Sequence, residues 1–274
     1  MASRFVASAI DLNGMNMLKS KQLRRISLVM GCGLLGFLGS STGGFGQTSP
    51  QGKQGSSPTV SDREGNLYRV VQIGNQFWMA ENLRTSLYAN GDSIPGNIDQ
   101  KQWCSLTAGA QAVFAEGETE VVFGEWGPNH VPNGADDAKA LLVYGRLYNG
   151  FAVQDPRRIC PTGWHVPTEE DVRTLVDFCG GEAVAGIALK DGANWFGLGG
   201  DPGTNSSGFT ALPGGYREGS YGYFASSGVD GNWWESTPKE GMLGRFAMYA
   251  DDENVSLGNA PLQTGFSVRC LRDR

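Results

Sequence analysis

Cys160 and His165 stand five residues apart, directly ahead of a stretch with the marks of a helix N-terminus. A thiol and an imidazole near the positive end of a helix dipole is an arrangement that can serve nucleophilic chemistry. The intervening residues read instead as scaffold. Pro161-Thr-Gly163 makes a turn, Trp164-His-Val166 is extended, and Pro167 pushes Val166 toward β or polyproline geometry. Thr168 then suits an N-cap, with Glu169, Glu170 and Asp171 placing negative charge in the first turn. Val172, Leu175, Val176 and Cys179 follow at helical spacing, and Gly180-Gly181 ends the pattern. A hydrogen-bonded structural role for His165 is preferred over that of a catalytic base, and His130 has no evident partner. With two histidines in the chain, little is left for a multi-histidine metal site. No catalytic signature is present.

Other residues could recognise a ligand without reacting with it. Trp164, Tyr216, Phe224, Trp233 and Trp234 could form an aromatic platform for sugars or peptides, or could simply fill the core of a loop-rich domain. Arg217 and Arg269 could hold an anion, or could pair with Glu81 or Glu235. The ligand-binding set taken forward is Tyr216, Arg217, Trp233 and Trp234. Asp251-Asp-Glu-Asn254, and Asp230 with Asn232, offer oxygens that calcium would accept, although acidic turns between strands are common. No cofactor is the preferred expectation, with calcium at Asp251, Asp252 and Glu253 as the secondary one.

The elements that must position these residues can be read in outline. Leu67–Ile73, the turn Gly74-Asn75 and Gln76–Met79 form a hairpin. Residues 82–100 are loop-like, and from 103 to 140 the pattern is weak, with Val121-Val-Phe123 a candidate short strand. Residues 141–153 are an ordered strand or helix entry, and a short second helix follows at Glu182–Lys190. Later come segments at 209–217, 222–226, 232–237, 245–249, 255–257 and 266–271, several rich in aromatic and β-favouring residues. That order predicts an α+β fold: small antiparallel sheets, long loops and one or two short helices.

The N-terminal region reads as an export signal. Lys19–Arg25 is basic, Ile26–Leu38 is apolar and glycine-broken, and Ser40–Gly46 is small, so cleavage after Gly46 is expected. Translation fits better from Met15 or Met17 than from Met1. The apolar run is too short for a membrane span of roughly 20 residues. Val29-Met-Gly-Cys32 is similar to a lipobox, which would place a lipid on Cys32; a cysteine inside a cleaved signal is the preferred reading. Residues 47–61, rich in Gly, Ser, Gln and Pro, form a flexible linker, and 62–274 is the folded domain.

The first 46 residues hold five basic side chains and one acidic. Of the 22 basic and 28 acidic groups in the chain, 17 and 27 remain beyond them, a net charge of −10. This excludes nonspecific nucleic-acid binding, which needs positive charge. Cys104, Cys160, Cys179 and Cys270 remain after signal removal, an even number suited to an oxidising compartment. Three pairings exist. Cys160–Cys270 is favoured because it ties the entry of the central unit to the last strand, while Cys104 and Cys179 could pair or stay free.

Several motifs together resemble the Fibrobacter succinogenes major paralogous domain. They are Asp62–Asn66, Ile73–Leu83, Tyr144–Asn149, Cys160–Thr168, Ser207–Arg217, Gly231–Thr237 and Gly265–Cys270, in order over residues 62–273. The resemblance implies an exported bacterial domain of no established activity, common on lipoproteins and surface proteins. It also implies a C-type-lectin-like fold shared with formylglycine-generating enzymes. The chain departs from the family at Gly109-Ala-Gln-Ala-Val-Phe114 and at Tyr148-Asn-Gly150, where relatives carry more aromatics. The tripeptides that ligate sugar-bound calcium in C-type lectins are absent, and Asn259-Ala-Pro261 is no equivalent.

The expected function is a non-catalytic binding module, exported to the outer membrane, cell surface or medium, whose partner is a polysaccharide or a surface protein. The loops of the insert at 109–140 would set specificity. The alternative is an oxidative enzyme of the formylglycine-generating type, which requires a reactive cysteine pair.

Overall fold

Pairing begins just before the polar turn Asp62–Asn66. In the computed structural model, which describes residues 58–117, 137–196 and 203–274, β1 (Thr59–Ser61) lies antiparallel to β2 (Leu67–Ile73). These three residues extend order into the stretch read as linker, because Thr-Val-Ser pairs with the otherwise open edge of β2. The export signal with Cys32, Val121–Phe123 and His130 lie outside the described residues.

The expected hairpin is present, with β3 (Gln76–Met79) returning along β2. After a long loop, α1 (Gln100–Cys104) is capped by Asp99, whose side chain accepts from the Gln102 amide at 2.7 Å. Next come β4 (Gln111–Val113), α2 (Asp137–Tyr144), β5 (Arg146–Asn149) and α3 (Gly150–Gln154). The central unit follows as read: β6 (Trp164–His165), then α4 (Glu169–Phe178). Thr168 and Asp171 form a reciprocal capping box, and Val172, Leu175 and Val176 face the core. The second helix, α5 (Ala185–Leu189), is shorter than expected.

The remaining chain is strand: β7 (Gly214–Arg217), β8 (Phe224–Ser227), β9 (Asp230–Lys239), β10 (Met242–Tyr249), β11 (Ser256–Pro261), β12 (Gly265–Phe266) and β13 (Leu271–Arg272). Two sheets result. One has the order β1-β2-β3-β13-β6; the other runs β11-β10-β9-β7-β12-β5-β4, with β8 on β7. All pairs are antiparallel except β7 with β9. The class is α+β, with short helices on curled sheets.

Two apolar clusters share the centre. One gathers Tyr68, Tyr148, Trp164, Trp234, Phe266 and the Cys160–Cys270 disulfide. The other gathers the buried face of α4 with Trp78, Phe209, Trp233 and Phe246. Between them lies Arg269, fully buried. It donates to the Asn82 Oδ1 at 3.1 and 2.7 Å, to the Phe209 carbonyl and to the Thr210 carbonyl at 3.3 Å. Its guanidinium also stacks 4.2 Å from the Phe209 ring. Asn82 accepts from the Trp233 indole at 2.8 Å as well, and donates to the Tyr144 carbonyl and Ser267 Oγ.

Among the described residues, neither Arg217 nor Arg269 forms an ion pair with Glu81 or Glu235. Glu81 bonds Arg69 at 2.5 Å. Arg217 donates to the carbonyls of Gly222 and Ile98 and stacks on Trp103. Glu235 is 1 % exposed, and its Oε1 has no hydrogen-bond partner among the described residues. Burial pushes its carboxyl up to about 7, nearby Glu169 adds repulsion, and Lys239, Arg173 and Arg245 offset only part of this.

Two stability outcomes follow. The Cys160–Cys270 bond closes a separation of 110 residues, so reduction or Cys270→Ser should cost up to about 4.7 kcal/mol by chain entropy. Cys104→Ser should shift the melting temperature little; equal small effects of the two serine variants would refute a stapling role. For Glu235 the folded carboxyl titrates above its unfolded value, so its neutral form favours the fold at low pH and that stability is lost as pH rises toward about 7. The stability of Glu235→Gln relative to wild type should therefore increase between pH 5 and 7.5, by on the order of 1–3 kcal/mol in urea titrations. A constant difference across that range would contradict it.

Candidate functional site

Strand alternation decides which of the expected residues reach solvent. On β9, residues 230, 232 and 234 share one face of the large sheet, while 231, 233 and 235 point to the other. Trp233 therefore stacks against Phe246 with ring centroids 5.3 Å apart, and Trp234 packs on Phe266 at 4.6 Å. Both indoles are fully buried and hydrogen-bonded, Trp233 to Asn82 and Trp234 to the Tyr148 carbonyl. Neither presents a face to a ligand, so the expected platform is corrected to core. Phe224 and Trp164 are buried too. Arg217 is likewise sequestered at 1 % exposure. Tyr216, its neighbour on β7, points the other way and is half-buried at the surface.

Tyr216 borders a groove of about 300 Å³ on the face that also carries Asp230 and Asn232. The register brings β10 alongside: Tyr249 is opposite Asp230, Ala247 opposite Asn232 and Arg245 opposite Trp234. Phe266 of β12 lies beneath Tyr216 in an edge-on contact at 6.3 Å. On β7, Gly215 has φ +67°, and a Cβ there would meet the Ala225 carbonyl oxygen at 2.3 Å, so only glycine lets the strand present Tyr216 this way.

The polar groups of the groove are underused by the fold. Asn232 is 6 % exposed, yet its side-chain amide has no hydrogen-bond partner among the described residues. The amide opens onto the groove, where solvent or a ligand supplies its bonds. Arg245 donates one bond, to the Tyr249 hydroxyl at 3.3 Å. Asp230 has no ion pair among the described residues. Burial pushes its carboxyl up, the Ser226 hydroxyl opposes this, Asp251 adds repulsion, and Arg245 offsets part of it. Burial also pushes the Tyr216 phenol up. Aromatic walls with an amide, a carboxylate and a guanidinium can hold a polyol through hydroxyl hydrogen bonds and ring contacts.

The remaining candidates stand apart from this groove's floor. Asp252 bonds the amide and side chain of Asn254 at 3.0 and 2.6 Å, while Asp251 and Glu253 are exposed. Among the described residues, no three His, Cys, Asp or Glu side chains gather as a metal site. His165 is held between Asp273 at 2.6 Å and Asp171 at 3.4 Å. Burial works against ionisation of Asp171, but bonds from the Thr168 hydroxyl and amide and from His165 outweigh it and lower its pKa. Cys104 and Cys179 are free, on different helices and in different surroundings, and burial pushes the Cys179 thiol up. With Cys160 and Cys270 joined, no reactive cysteine pair exists among the described residues.

Arg245 and Tyr249 were not singled out from the sequence. Their four-residue spacing on a strand puts both on one face, but only the register with β9 shows what they face. No helix among the described residues is long and apolar enough to cross a membrane. The model of the Fibrobacter succinogenes major domain matches residues 71–272. No curated protein and no solved structure matches the chain.

Proposed function

The chain belongs to the Fibrobacter succinogenes major domain family, and from its groove we propose that it is an exported, non-catalytic module that binds a polysaccharide. The observation that carries this reading is Asn232, only 6 % exposed and without a side-chain hydrogen bond among the described residues, lining the same groove as Tyr216 and Tyr249. A sugar supplies hydroxyls that both donate and accept, and its C–H faces pack on aromatic rings. Export is supported by the basic-then-apolar N-terminal pattern and by the disulfide, which suits an oxidising compartment. The mature chain is freely secreted or held at the cell surface; a lipid on Cys32 would give the second outcome. A C-type-lectin-like arrangement is the finer reading of the fold, supported by the disulfide that ties the chain's final strand region to the central unit. Binding in this groove proceeds without a cofactor, since its own amide, guanidinium and carboxylate supply the contacts.

The test is a glycan array with the purified chain, followed by titration of the best soluble hit. Asn232→Ala should weaken binding on the order of ten-fold, with the melting temperature shifted by only a few degrees. Tyr249→Phe should weaken it less, and chelator should change nothing. Absence of any array signal, or wild-type affinity in a folded Asn232→Ala variant, would overturn the reading. Loss of binding with chelator would make calcium part of the site.

A further inference from the structure

Resting on the glycan reading of the groove, we propose that its ligand is an amino-sugar polymer, with a sugar ammonium held beside Asp230 while Asn232 and Arg245 engage neighbouring hydroxyls. Asp230 is half-buried and without an ion pair among the described residues. Such a carboxylate gains most from a ligand that brings its own positive charge. Around it the charges are unbalanced. Glu218 lines the groove and Asp251 lies near enough to repel Asp230, while Arg245 is the one basic side chain lining the groove among the described residues.

Glu218 is held in place by its Oε2, which accepts the amides of Ser220 and Tyr221 at 2.6 Å each, and its charge adds to the negative field of the groove. Arg245 branches from β10 four residues before Tyr249, which faces Asp230. That is about 13 Å of strand, but the guanidinium reaches the Tyr249 hydroxyl and lies near enough to Asp230 to favour its charged form without forming an ion pair. Tyr216 and Tyr249 line the same groove, and aromatic rings attract an ammonium as well as sugar C–H groups.

Asn232 is the independent observation. The residue is nearly buried, and its amide lines the groove without a hydrogen bond among the described residues, so it suits a partner with both donor and acceptor capacity, which a sugar hydroxyl has and a metal ion or an apolar group lacks. A uronic acid would set its carboxylate against Asp230 and Asp251. An acetylated amino sugar would leave Asp230 unpaired. The net charge of −10 over residues 47–274 also draws cationic polymers toward the domain.

Four hexasaccharides are titrated against the full mature chain at pH 6 by calorimetry: glucosamine, N-acetylglucosamine, glucose and galacturonate. Glucosamine should bind on the order of ten-fold more tightly than either neutral oligomer, and galacturonate most weakly. Asp230→Asn should remove the preference for glucosamine, so that glucosamine and the neutral oligomers bind that variant alike. Asp177→Asn, which removes an exposed charge on α4, should leave the preference intact. Neutral oligomers binding as well as glucosamine, or a preference that survives Asp230→Asn or falls equally with Asp177→Asn, would overturn the amino-sugar assignment while leaving the glycan reading standing. Failure of all four to bind would instead overturn the glycan reading, and the amino-sugar assignment with it.

Discussion

The buried contact between Asn82 and Arg269 is the constraint on which the rest of the domain depends. A guanidinium taken out of water must be surrounded by oxygens, and here one amide oxygen and two carbonyls do this without a carboxylate. Burial pulls the arginine's pKa down to about 9. These oxygens come from two remote parts of the chain, the loop after the first hairpin and the segment before β7, while the guanidinium comes from a third, the strand region leading to β13. Asn82 also bonds the indole of Trp233 at 2.8 Å, so the large sheet is fixed to the same point. Satisfying one cation thus fixes how the two sheets meet.

The disulfide acts one residue further on. Cys270 follows Arg269 and reaches back to Cys160, so the charge and the covalent bond constrain the same strand from two sides. Met79 donates to the Cys270 carbonyl and Leu83 to the Val268 carbonyl, which carries the constraint into the first hairpin. On the far side, Glu169 accepts from Lys239, and its amide donates to Thr237, so the irregular end of β9 is fastened to the first turn of α4. Glu235 sits buried within this fastening. Its carboxyl is tolerated because it can remain protonated, a different solution from that of Arg269, which keeps its charge and recruits oxygens.

What could be read from the sequence was whatever is local. The capping box of Thr168 and Asp171, the hairpin turn at Gly74 and the helical spacing of Val172, Leu175 and Val176 all depend on residues a few positions apart. The β-strand at 111–113 and the helix at 100–104 were missed because both are short and owe their place to tertiary contact: Asn149 accepts from the Ala110 amide, and Trp103 is wholly buried. The tryptophan pair misled for a physical reason. Adjacent residues on a strand face opposite ways, so Trp233 and Trp234 could form one platform only outside a strand. The groove was harder still, because Arg245 and Tyr249 meet Asp230 and Asn232 only through a register that slips at the β9 irregularity between Trp234 and Pro238.

Strand alternation also explains why β9 can serve both scaffold and site. On β9 the side chain of Trp233 goes to the buried junction with Asn82, while that of Asn232, one residue earlier, goes to the groove. A rigid partner for the tryptophan therefore fixes the asparagine as well, to within the pleat of a strand. The irregularity beyond Trp234 lets the strand leave regular pairing only after both have been placed. The backbone fixed by the tryptophan thus presents Asn232 to whatever enters the groove.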